Sequence, residues 1–433
     1  MVKGQRGVAG ARLRLGVLTV ILVNVTSCAL FRGEETGIPP TELEPLETRR
    51  AELATRAWVR PVGDGEDALF RQLRPYVAGE RVYTVDYLGE LRAFDRFDGT
   101  LLWKRELGEP ITGGVGGGAG HLFIGAINGD LIALDAEDGA TRWRTTLSSE
   151  VLSPAVAVAL AAPPGDADDS GDAESGPRGR VFVRTGDGGL VGLNLADGRT
   201  VWSHFERVPA LNLRGNAMPS VIEDSVVAGF DNGRLRRFSG VDGAELWDVE
   251  VGTPRGRTEL ERMVDIDGRP LVDDTLAIAG AFQAQVGAYD LDSGRERWTR
   301  ELSTFVPIAG DLQRLYVTDE TRAIWALDRR SGGSLWKQEG LIGRTTTAPC
   351  VIGEHLLVGD FEGFVHLLSV ADGGFVDRID ISATGFTSDP ICVEGPDAFG
   401  RAYLLSEAGR IFALEVPLQA SGSDRDGTPN GSG

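Results

Sequence analysis

The sequence has few of the residues from which catalytic and metal sites are usually built. It contains four histidines and three cysteines among 433 residues. The histidines stand singly without metal-ligand spacing, and the sequence has no Gly-x-Ser-x-Gly elbow, phosphate-binding glycine loop or recognisable cysteine–histidine pair. We therefore expect no catalytic residues, no metal ion and no cofactor, and we expect that the protein is not an enzyme.

Positive charge is also scarce. The chain has 44 Lys and Arg residues against 64 Asp and Glu, which gives a formal net charge of −20. Binding to a phosphate backbone needs a clustered basic surface, so nucleic acid is excluded as a partner. The 59 glycines and the low aromatic content of 7% are typical of a turn-rich β protein.

The apolar run at the amino terminus, residues 15–25, is too short to cross a membrane comfortably. Four basic residues precede it, and Val25-Thr26-Ser27-Cys28 follows. The pattern resembles a bacterial lipoprotein signal, although Val25 and Thr26 depart from the commonest residues. It implies cleavage before Cys28 and a lipid on its sulfur, and Ala29 resembles an outer-membrane destination. An ordinary signal peptide with an incidental cysteine is the alternative.

A short cassette recurs along the chain. Each copy has a strand of alternating character, a tight Asp-Gly or Ser-Gly turn, and a tryptophan four residues after the turn glycine. Units of about 40 residues have room for four strands, which is the size of a propeller blade. An indole that docks on the next blade buries a large apolar area, so we expect these tryptophans to be structural. The six complete copies carry Trp103, Trp143, Trp202, Trp247, Trp298 and Trp336.

Two further copies are incomplete and indicate how the repeats close. The seventh has Asp377 at the tryptophan position, and the eighth ends at Pro417 before a final strand. Trp58 lies on an early strand without a neighbouring partner in sequence, so we expect this strand to complete the eighth blade. Closure of this kind joins the two ends of the ring and removes the exposed edges of an open sheet. The predicted fold is all-β: an eight-bladed β-propeller of four-stranded antiparallel blades, closed by an N-terminal strand.

The repeats also set the predicted organisation of the chain. An acidic stretch with five acids and one arginine interrupts the third unit, and we expect it to be a disordered insertion. The predicted segments are a signal peptide at 1–27, a lipid anchor and linker at 28–55, the propeller at 56–418 with its acidic insertion at 163–179, and a flexible tail at 419–433.

Cys350 and Cys392 lie in related repeats but are offset by one residue relative to a nearby proline. In strands, this offset places two side chains on opposite faces. We therefore expect two buried small residues rather than a disulfide, even in an oxidising compartment.

The cassette Ala-x-Asp-x-x-x-Gly-x-x-x-Trp, clearest at 93–103, 133–143 and 288–298, resembles the repeat of the quinoprotein dehydrogenases. That resemblance implies enzymes that bind pyrroloquinoline quinone and calcium at the propeller axis. It also implies adjacent cysteines against the quinone, which this sequence lacks. A dehydrogenase-like propeller therefore stays only as an alternative.

A second resemblance covers almost the whole mature chain, from Trp58 to Pro417. The lipid signal, the eight repeats and the closing strand are similar to the BamB family, the propeller lipoproteins of the machinery that assembles β-barrels in the Gram-negative outer membrane. Two segments, 209–215 (PALNLRG) and 257–268 (RTELERMVDIDG), strengthen this resemblance. In that family the matching segments contribute to binding the periplasmic domains of BamA, the central barrel subunit. The residues that this implies for partner binding are Leu211, Leu213, Arg214, Asp265 and Asp267.

Both segments follow the tryptophans of consecutive repeats, so they could emerge side by side. Other interpretations stay open at this point. Leu211 and Leu213, two residues apart, could form the inward side of an innermost strand, and Arg262 could pair locally with Asp265. The aspartates could either support Arg214 or meet a basic partner.

The resemblance implies a non-catalytic scaffold lipoprotein on the periplasmic face of the outer membrane. It would dock on a BamA-type subunit and aid the folding and insertion of outer-membrane proteins, with unfolded outer-membrane proteins as further partners. A propeller scaffold for another envelope complex is the remaining alternative.

Overall fold

A computed structural model describes residues 38–46, 53–63, 73–160, 179–214, 217–386, 388–395 and 398–419. The contacts between its residues divide the chain into two units, 1–32 and 33–433. All of the described residues belong to the second unit. The predicted signal peptide, Cys28 and nearly all of the acidic insertion and the C-terminal tail lie outside the described residues. Of the insertion only Gly179 is described, where it begins a strand, and of the tail only Gln419.

The described residues are almost entirely strands and turns, with a single short 3₁₀ turn at Leu260–Arg262. In chain order the strands are β1 (Thr55–Pro61), β2 (Tyr76–Ala78), β3 (Arg81–Val85), β4 (Glu90–Asp95), β5 (Leu101–Glu106), β6 (Ile111–Gly118), β7 (His121–Ala126), β8 (Asp130–Asp135), β9 (Thr141–Thr146), β10 (Val156–Ala159), β11 (Gly179–Arg184), β12 (Gly189–Asn194), β13 (Thr200–Phe205), β14 (Ser220–Ile222), β15 (Ser225–Gly229), β16 (Arg234–Ser239), β17 (Glu245–Glu250), β18 (Leu271–Val272), β19 (Leu276–Gly280), β20 (Gln285–Asp290), β21 (Glu296–Glu301), β22 (Ala309–Gly310), β23 (Arg314–Thr318), β24 (Ile324–Asp328), β25 (Ser334–Gln338), β26 (Cys350–Ile352), β27 (His355–Gly359), β28 (Phe364–Ser369), β29 (Phe375–Asp380), β30 (Ile391–Glu394), β31 (Phe399–Ser406) and β32 (Arg410–Pro417).

These strands form eight antiparallel blades of four, as the repeats predict. Seven blades take four consecutive strands each, from β2–β5 in blade 1 to β26–β29 in blade 7. Blade 8 has the order β1-β32-β31-β30, so the N-terminal strand completes the last blade, and Trp58 lies opposite Ala413. The predicted fold class and its closure are confirmed.

Blades 2 and 3 are joined into one eight-stranded sheet through their inner strands. The parallel bridge pairs Val156 of β10 with Gly117 of β6. Five of the eight residues of β6 are glycine. A Cβ atom at Gly113 would lie 2.6 Å from the carbonyl oxygen of Val151, so glycine lets the two backbones approach each other here.

Seven of the eight blades dock on the next blade through the predicted tryptophans. All seven indoles lie on the turn glycine of the following blade, which has a positive φ that only glycine adopts without strain. The indole Nε1–H also donates to a backbone carbonyl of that turn in six cases. The donor–acceptor pairs are Trp58–Arg96, Trp143–Leu195, Trp202–Gly240, Trp247–Leu291, Trp298–Arg329 and Trp336–Val370, at 2.6–3.3 Å.

The contact from blade 7 to blade 8 differs, because blade 8 is made from both ends of the chain and its strands β32 and β1 are not joined by such a turn. Asp377 stands at the tryptophan position of β29 and is 1% exposed. Its Oδ2 accepts the backbone N–H groups of Leu53 (3.0 Å) and Ala54 (3.3 Å), just before β1. The indole donor of the other blades is therefore replaced by an acceptor where the neighbour offers donors.

The expectation that Cys350 and Cys392 stay unpaired is wrong. They form a disulfide that links β26 of blade 7 to the second residue of β30 in blade 8, with Cα atoms 6.0 Å apart. The offset places the two side chains on opposite faces of equivalent strands. Neighbouring blades stack so that opposite faces meet, and the same offset therefore brings the sulfurs together.

The blade topology gives the propeller two faces. The strands of each blade alternate in direction, so the segments that link an outer strand to the next inner strand emerge at one end of the strands, together with the turns between second and third strands. We call this end the connector face. The turns between first and second strands, and between third and fourth, lie on the opposite face.

The N-terminal segment Ile38–Leu46, which we call the strap, also contacts the connector face. Thr41 donates its backbone N–H to the carbonyl oxygen of Ile342 (2.9 Å), in the segment between β25 and β26. Leu43 packs against the apolar cluster between blades 6 and 7.

The first prediction concerns the indole hydrogen bond. Trp143→Phe keeps a ring near Gly198 but leaves the carbonyl of Leu195 without its donor. Trp103 lies on Gly139 in the same way, yet its Nε1 has no hydrogen-bond partner in the described part of the chain. We expect Trp143→Phe to lower the free energy of unfolding by about 1 kcal/mol more than Trp103→Phe. Urea denaturation of both variants measures this difference, and equal losses would contradict it.

The second prediction concerns the seam between blades 7 and 8. Asp377→Trp restores the repeat residue but places a donor against the N–H groups of Leu53 and Ala54. We expect it to lower the free energy of unfolding by about 2 kcal/mol or more, because two buried donors lose their acceptor and a larger side chain must fit. Asp380→Trp, at the exposed end of the same strand, is the matched control. A Tm for Asp377→Trp at or above that of the unmodified chain would refute this account.

Candidate functional site

The two predicted partner-binding segments lie next to each other on the connector face. Residues 206–219 link β13 to β14, and residues 251–270 link β17 to β18. The backbone N–H of Leu213 in the first segment donates to Oδ2 of Asp265 in the second. The expectation that the segments emerge side by side is therefore met in the described residues, and one hydrogen bond joins them.

The first segment presents its leucines outward. Leu211 is 41% exposed and Leu213 is 39% exposed. Residues 206–214 form no strand, so the alternative in which these leucines line an innermost strand is excluded. Arg214, with φ of 56°, adopts the left-handed conformation and directs its guanidinium to Glu150, where Nη2 donates to Oε1 at 2.8 Å.

Glu150 belongs to the link between blades 2 and 3, and it fixes the arginine from a distant part of the sequence. The Ser149 hydroxyl and the Arg214 guanidinium hold the pKa of Glu150 below its usual range. The side chain of Arg214 keeps 70% of its surface exposed while it is paired. An ion pair in which the arginine is this exposed stabilises the fold by little, and a partner could still contact the outer surface of the arginine side chain.

Asp265 lies beneath this segment rather than on the surface. It is 1% exposed. Its backbone is held between blades 4 and 5 by the turns that join the second and third strands of each blade. The carbonyl oxygen of Asp265 accepts the N–H of Phe282 (2.9 Å), and the N–H of Ile266 donates to the carbonyl oxygen of Phe230 (3.3 Å). Burial raises the pKa of Asp265 to about 7, the Leu213 N–H opposes this rise, and the negative charge of Asp231 adds to it. Asp265 supports the leucine backbone, and Arg262 is not its partner.

A second buried group holds the same segment. Asn212 donates from Nδ2 to Oδ2 of Asp231 (3.1 Å), and its Oδ1 accepts the N–H of Arg214 (3.1 Å). Asp231 in turn lies 3.4 Å from Nη2 of Arg184, which is fully buried and stacks over Phe230 at 4.4 Å. Two carboxylates, Asp231 and Asp265, therefore fasten the segment from below.

Asp267 is half-buried near the same arginine. Burial lowers the pKa of Arg184, whereas the negative charges of Asp231 and Asp267 raise it. Of the five predicted site residues, the structure thus brings Leu211, Leu213 and Arg214 to the surface, buries Asp265 beneath them and leaves Asp267 half-buried near Arg184.

Sequence reasoning missed four residues of this site. Glu150 and Asp231 look like ordinary acidic connector and turn residues, and nothing in the local sequence marks them. Asn212 lay unnoticed inside the leucine segment. Arg184 did carry a signal, because it ends the apolar run Val181–Val183 at a strand position that should be buried.

The arrangement suits binding rather than chemistry. Two outward leucines beside an arginine, on a backbone fixed by buried carboxylates, form a small apolar patch with a charged edge. Within the described ranges, no group of three or more His, Cys, Asp or Glu side chains is placed to hold a metal ion. No helix in the described part of the chain is long and apolar enough to cross a membrane.

A family model, curated proteins and a solved structure that are similar to this chain all carry the same family name. The family model described as outer membrane protein assembly factor BamB matches residues 87–338. The factor of that name from Yersinia pestis is 30% identical over 93% of this chain and 98% of its own length, and the one from Pseudomonas aeruginosa is 35% identical over 92% and 98%. The crystal structure of BamB from Moraxella catarrhalis superposes with a TM-score of 0.71 at 26% identity, covering 84% of this chain and 99% of that one.

Solved structures of dehydrogenases are also similar to this chain. A europium-containing methanol dehydrogenase superposes with a TM-score of 0.63 at 12% identity, over 87% of this chain and 95% of that chain. At this level of identity the likeness shows the fold alone.

The third prediction follows from the buried carboxylate. The pKa of Asp265 in the folded chain, about 7, lies above that of an unfolded aspartate, about 4. The folded state then binds the proton more tightly, so this group lowers stability progressively as the pH rises from about 4 to about 7. Asp265→Asn removes the titration and keeps an oxygen for the Leu213 N–H. We expect the variant to gain on the order of 1–3 kcal/mol relative to the unmodified chain between pH 5 and pH 8.

Denaturant titrations at several pH values measure this difference. Asp274→Asn, which removes an exposed carboxylate on the opposite face, controls for the loss of one negative charge. Parallel pH profiles for Asp265→Asn and the unmodified chain would contradict the burial of an ionisable group at this position.

Proposed function

The chain belongs to the BamB family of outer membrane protein assembly factors, and we propose that it docks on the periplasmic domains of a BamA-type subunit through Leu211, Leu213 and Arg214. The membership expected from the sequence is confirmed. The protein is a non-catalytic assembly factor, a member of the barrel assembly complex, and it is associated with the outer membrane.

The observation that carries the docking proposal is the fixed, outward position of the two leucines. A flexible loop would lose conformational entropy on binding, whereas this backbone is already held through Asp231 and Asp265. Arginine is enriched among the residues that dominate binding energy at protein interfaces, and apolar neighbours such as the two leucines exclude water from such a contact. The two aspartates support this surface from within the ring. Asp265 accepts the backbone N–H of Leu213, and Asp267 lies near Arg184.

Attachment to the membrane is proposed to run through a lipid on Cys28. The signal pattern at 15–28 supports this attachment, and two or three acyl chains would hold the ring at the membrane stably. We further propose that the anchored ring is a scaffold that assists folding and insertion of outer-membrane proteins. Contact with unfolded clients would use the outer strand of each blade, because ring closure leaves only that strand as an edge.

The fourth prediction tests the docking site by affinity capture of the lipidated chain from outer membranes. Arg214→Glu is expected to reduce recovery of the barrel subunit by about tenfold or more, because reversing a charge at a packed interface costs about 2 kcal/mol. Arg330→Glu, the same change at an exposed arginine in a turn of the opposite face, is the matched control and should leave recovery unchanged.

The pairing with Glu150 allows a sharper version of this experiment. The double variant Arg214→Glu with Glu150→Arg restores the internal ion pair but not the guanidinium position. If loss of capture reflects only a disturbed fold, the double variant should regain the partner. If Arg214 contacts the partner, recovery stays low. Normal capture with both Arg214→Glu and Leu213→Asp would overturn the proposed site.

A further inference from the structure

The strap binds a defined place on the ring. The Oγ1 of Thr41 donates to the carbonyl oxygen of Ile342 at 3.0 Å, in addition to the backbone N–H of the same residue. The next residue of the ring, Gly343, lies directly under the strap: a Cβ atom there would approach the carbonyl oxygens of Ile38 and Pro39 within 2.7 Å. The strap therefore rests on backbone that has been kept clear of side chains.

Two arginines of the ring hold the strap from the side. Nη1 of Arg344 donates to the carbonyl oxygen of Thr41 (3.1 Å), and Nη1 of Arg378 donates to that of Glu44 (2.9 Å). Between these two contacts Leu43 packs against the apolar cluster at the boundary of blades 6 and 7, which Trp336 and Phe375 also contact. The strap is thus fixed by hydrogen bonds at two carbonyls and by one apolar side chain.

Both arginines are positioned by a buried ion cluster of the ring. Nε of Arg344 donates to Oδ2 of Asp360 at 2.9 Å, and the same oxygen lies 2.9 Å from Nε2 of His366. Nε of Arg378 donates to Nδ1 of His366 at 3.2 Å, which leaves Nε2 to donate to Asp360. Asp360 and His366 have no exposed side-chain surface, and Arg344 has 4%. This network belongs to the ring, so the strap meets a prepared docking site.

The position of the strap limits where the membrane can be. Ile38 is ten residues beyond Cys28, so the two Cα atoms can be at most about 35 Å apart. We propose that the strap and its arginine clamp fix the exit of the anchored N-terminus at blades 6 and 7 of the connector face, and so turn this face toward the lipid surface. The inference rests on the proposed lipid anchor at Cys28.

This orientation has a consequence for the docking site. The leucine segment follows blade 3, on the same connector face as the strap but across the ring from blades 6 and 7. The tether and the docking site then act on one face without overlapping. The connector face would then contact a partner that is itself embedded in the membrane.

Fluorescence quenching in vesicles tests the orientation. The lipidated chain is reconstituted into phospholipid vesicles that carry a headgroup quencher, with one fluorophore at either of two positions in blade 6. Glu339→Cys labels the connector face, and Leu312→Cys labels the opposite face, where that leucine is 96% exposed. We expect quenching at position 339 to exceed that at position 312 by about twofold or more, given a tether of this length.

Variants of the strap show whether the clamp sets this difference without disturbing the ring. Thr41→Pro removes the N–H and the hydroxyl that bind Ile342, and Leu43→Asp removes the apolar contact. Both should bring the quenching ratio close to one while the ring stays folded. Glu42→Ala, at an exposed strap position, is the matched control and should preserve the ratio.

The outcomes separate this inference from the proposed function. Equal quenching at positions 339 and 312 in a chain that floats with the vesicles would overturn the orientation and leave the lipid anchor intact. A Cys28→Ser chain should not float. If the unmodified chain also fails to float with the vesicles, the proposed lipid anchor is wrong, and the proposed orientation is then wrong as well. A ratio that Thr41→Pro and Leu43→Asp leave unchanged would refute the role of the clamp.

Discussion

The whole ring depends on one contact that recurs between its blades: an indole lies on a turn glycine of the next blade and, in six of seven cases, donates to a carbonyl beside it. Each blade alone is a small sheet with limited core, and these contacts join the blades into one structure. The chain must also begin and end somewhere in the ring. At that seam the neighbour offers backbone N–H groups instead of a carbonyl, and Asp377 supplies the acceptor.

Sequence reasoning predicted the blade number and the closing strand because their signals are local. The turn glycine, the alternating strand and the tryptophan recur about every 40 residues, and no long-range information is needed to count them. The seam was harder to predict. Asp377 binds groups 324 residues away, and the Cys350–Cys392 disulfide depends on how neighbouring blades face each other. The incorrect expectation for the cysteines compared strands within one repeat frame and ignored the stacking of blades.

The residues of the candidate site also divide into those that the local sequence indicates and those that only the folded ring brings together. Leu211, Leu213 and Arg214 lie in one short segment, so a resemblance in sequence could identify all three. Whether an aspartate of the second segment reaches the surface is decided by the turns of blades 4 and 5 that close around it, and no motif describes that closure. Glu150 lies in the link between blades 2 and 3, and Arg184 ends the second strand of blade 3, so only the folded ring brings them to the site.

The burial of Asp265 indicates that the shape of the leucine segment matters beyond the stability of the ring. A carboxylate in this place costs stability near neutral pH, since burial disfavours its charged form. An apolar side chain of similar size would fill the same space at lower cost, but it could not accept the Leu213 N–H. Strained or costly groups that persist in a fold tend to lie where a particular geometry is needed. Here that geometry is the outward position of the two leucines on the connector face. The buried Asp265 maintains it by accepting the backbone N–H of Leu213.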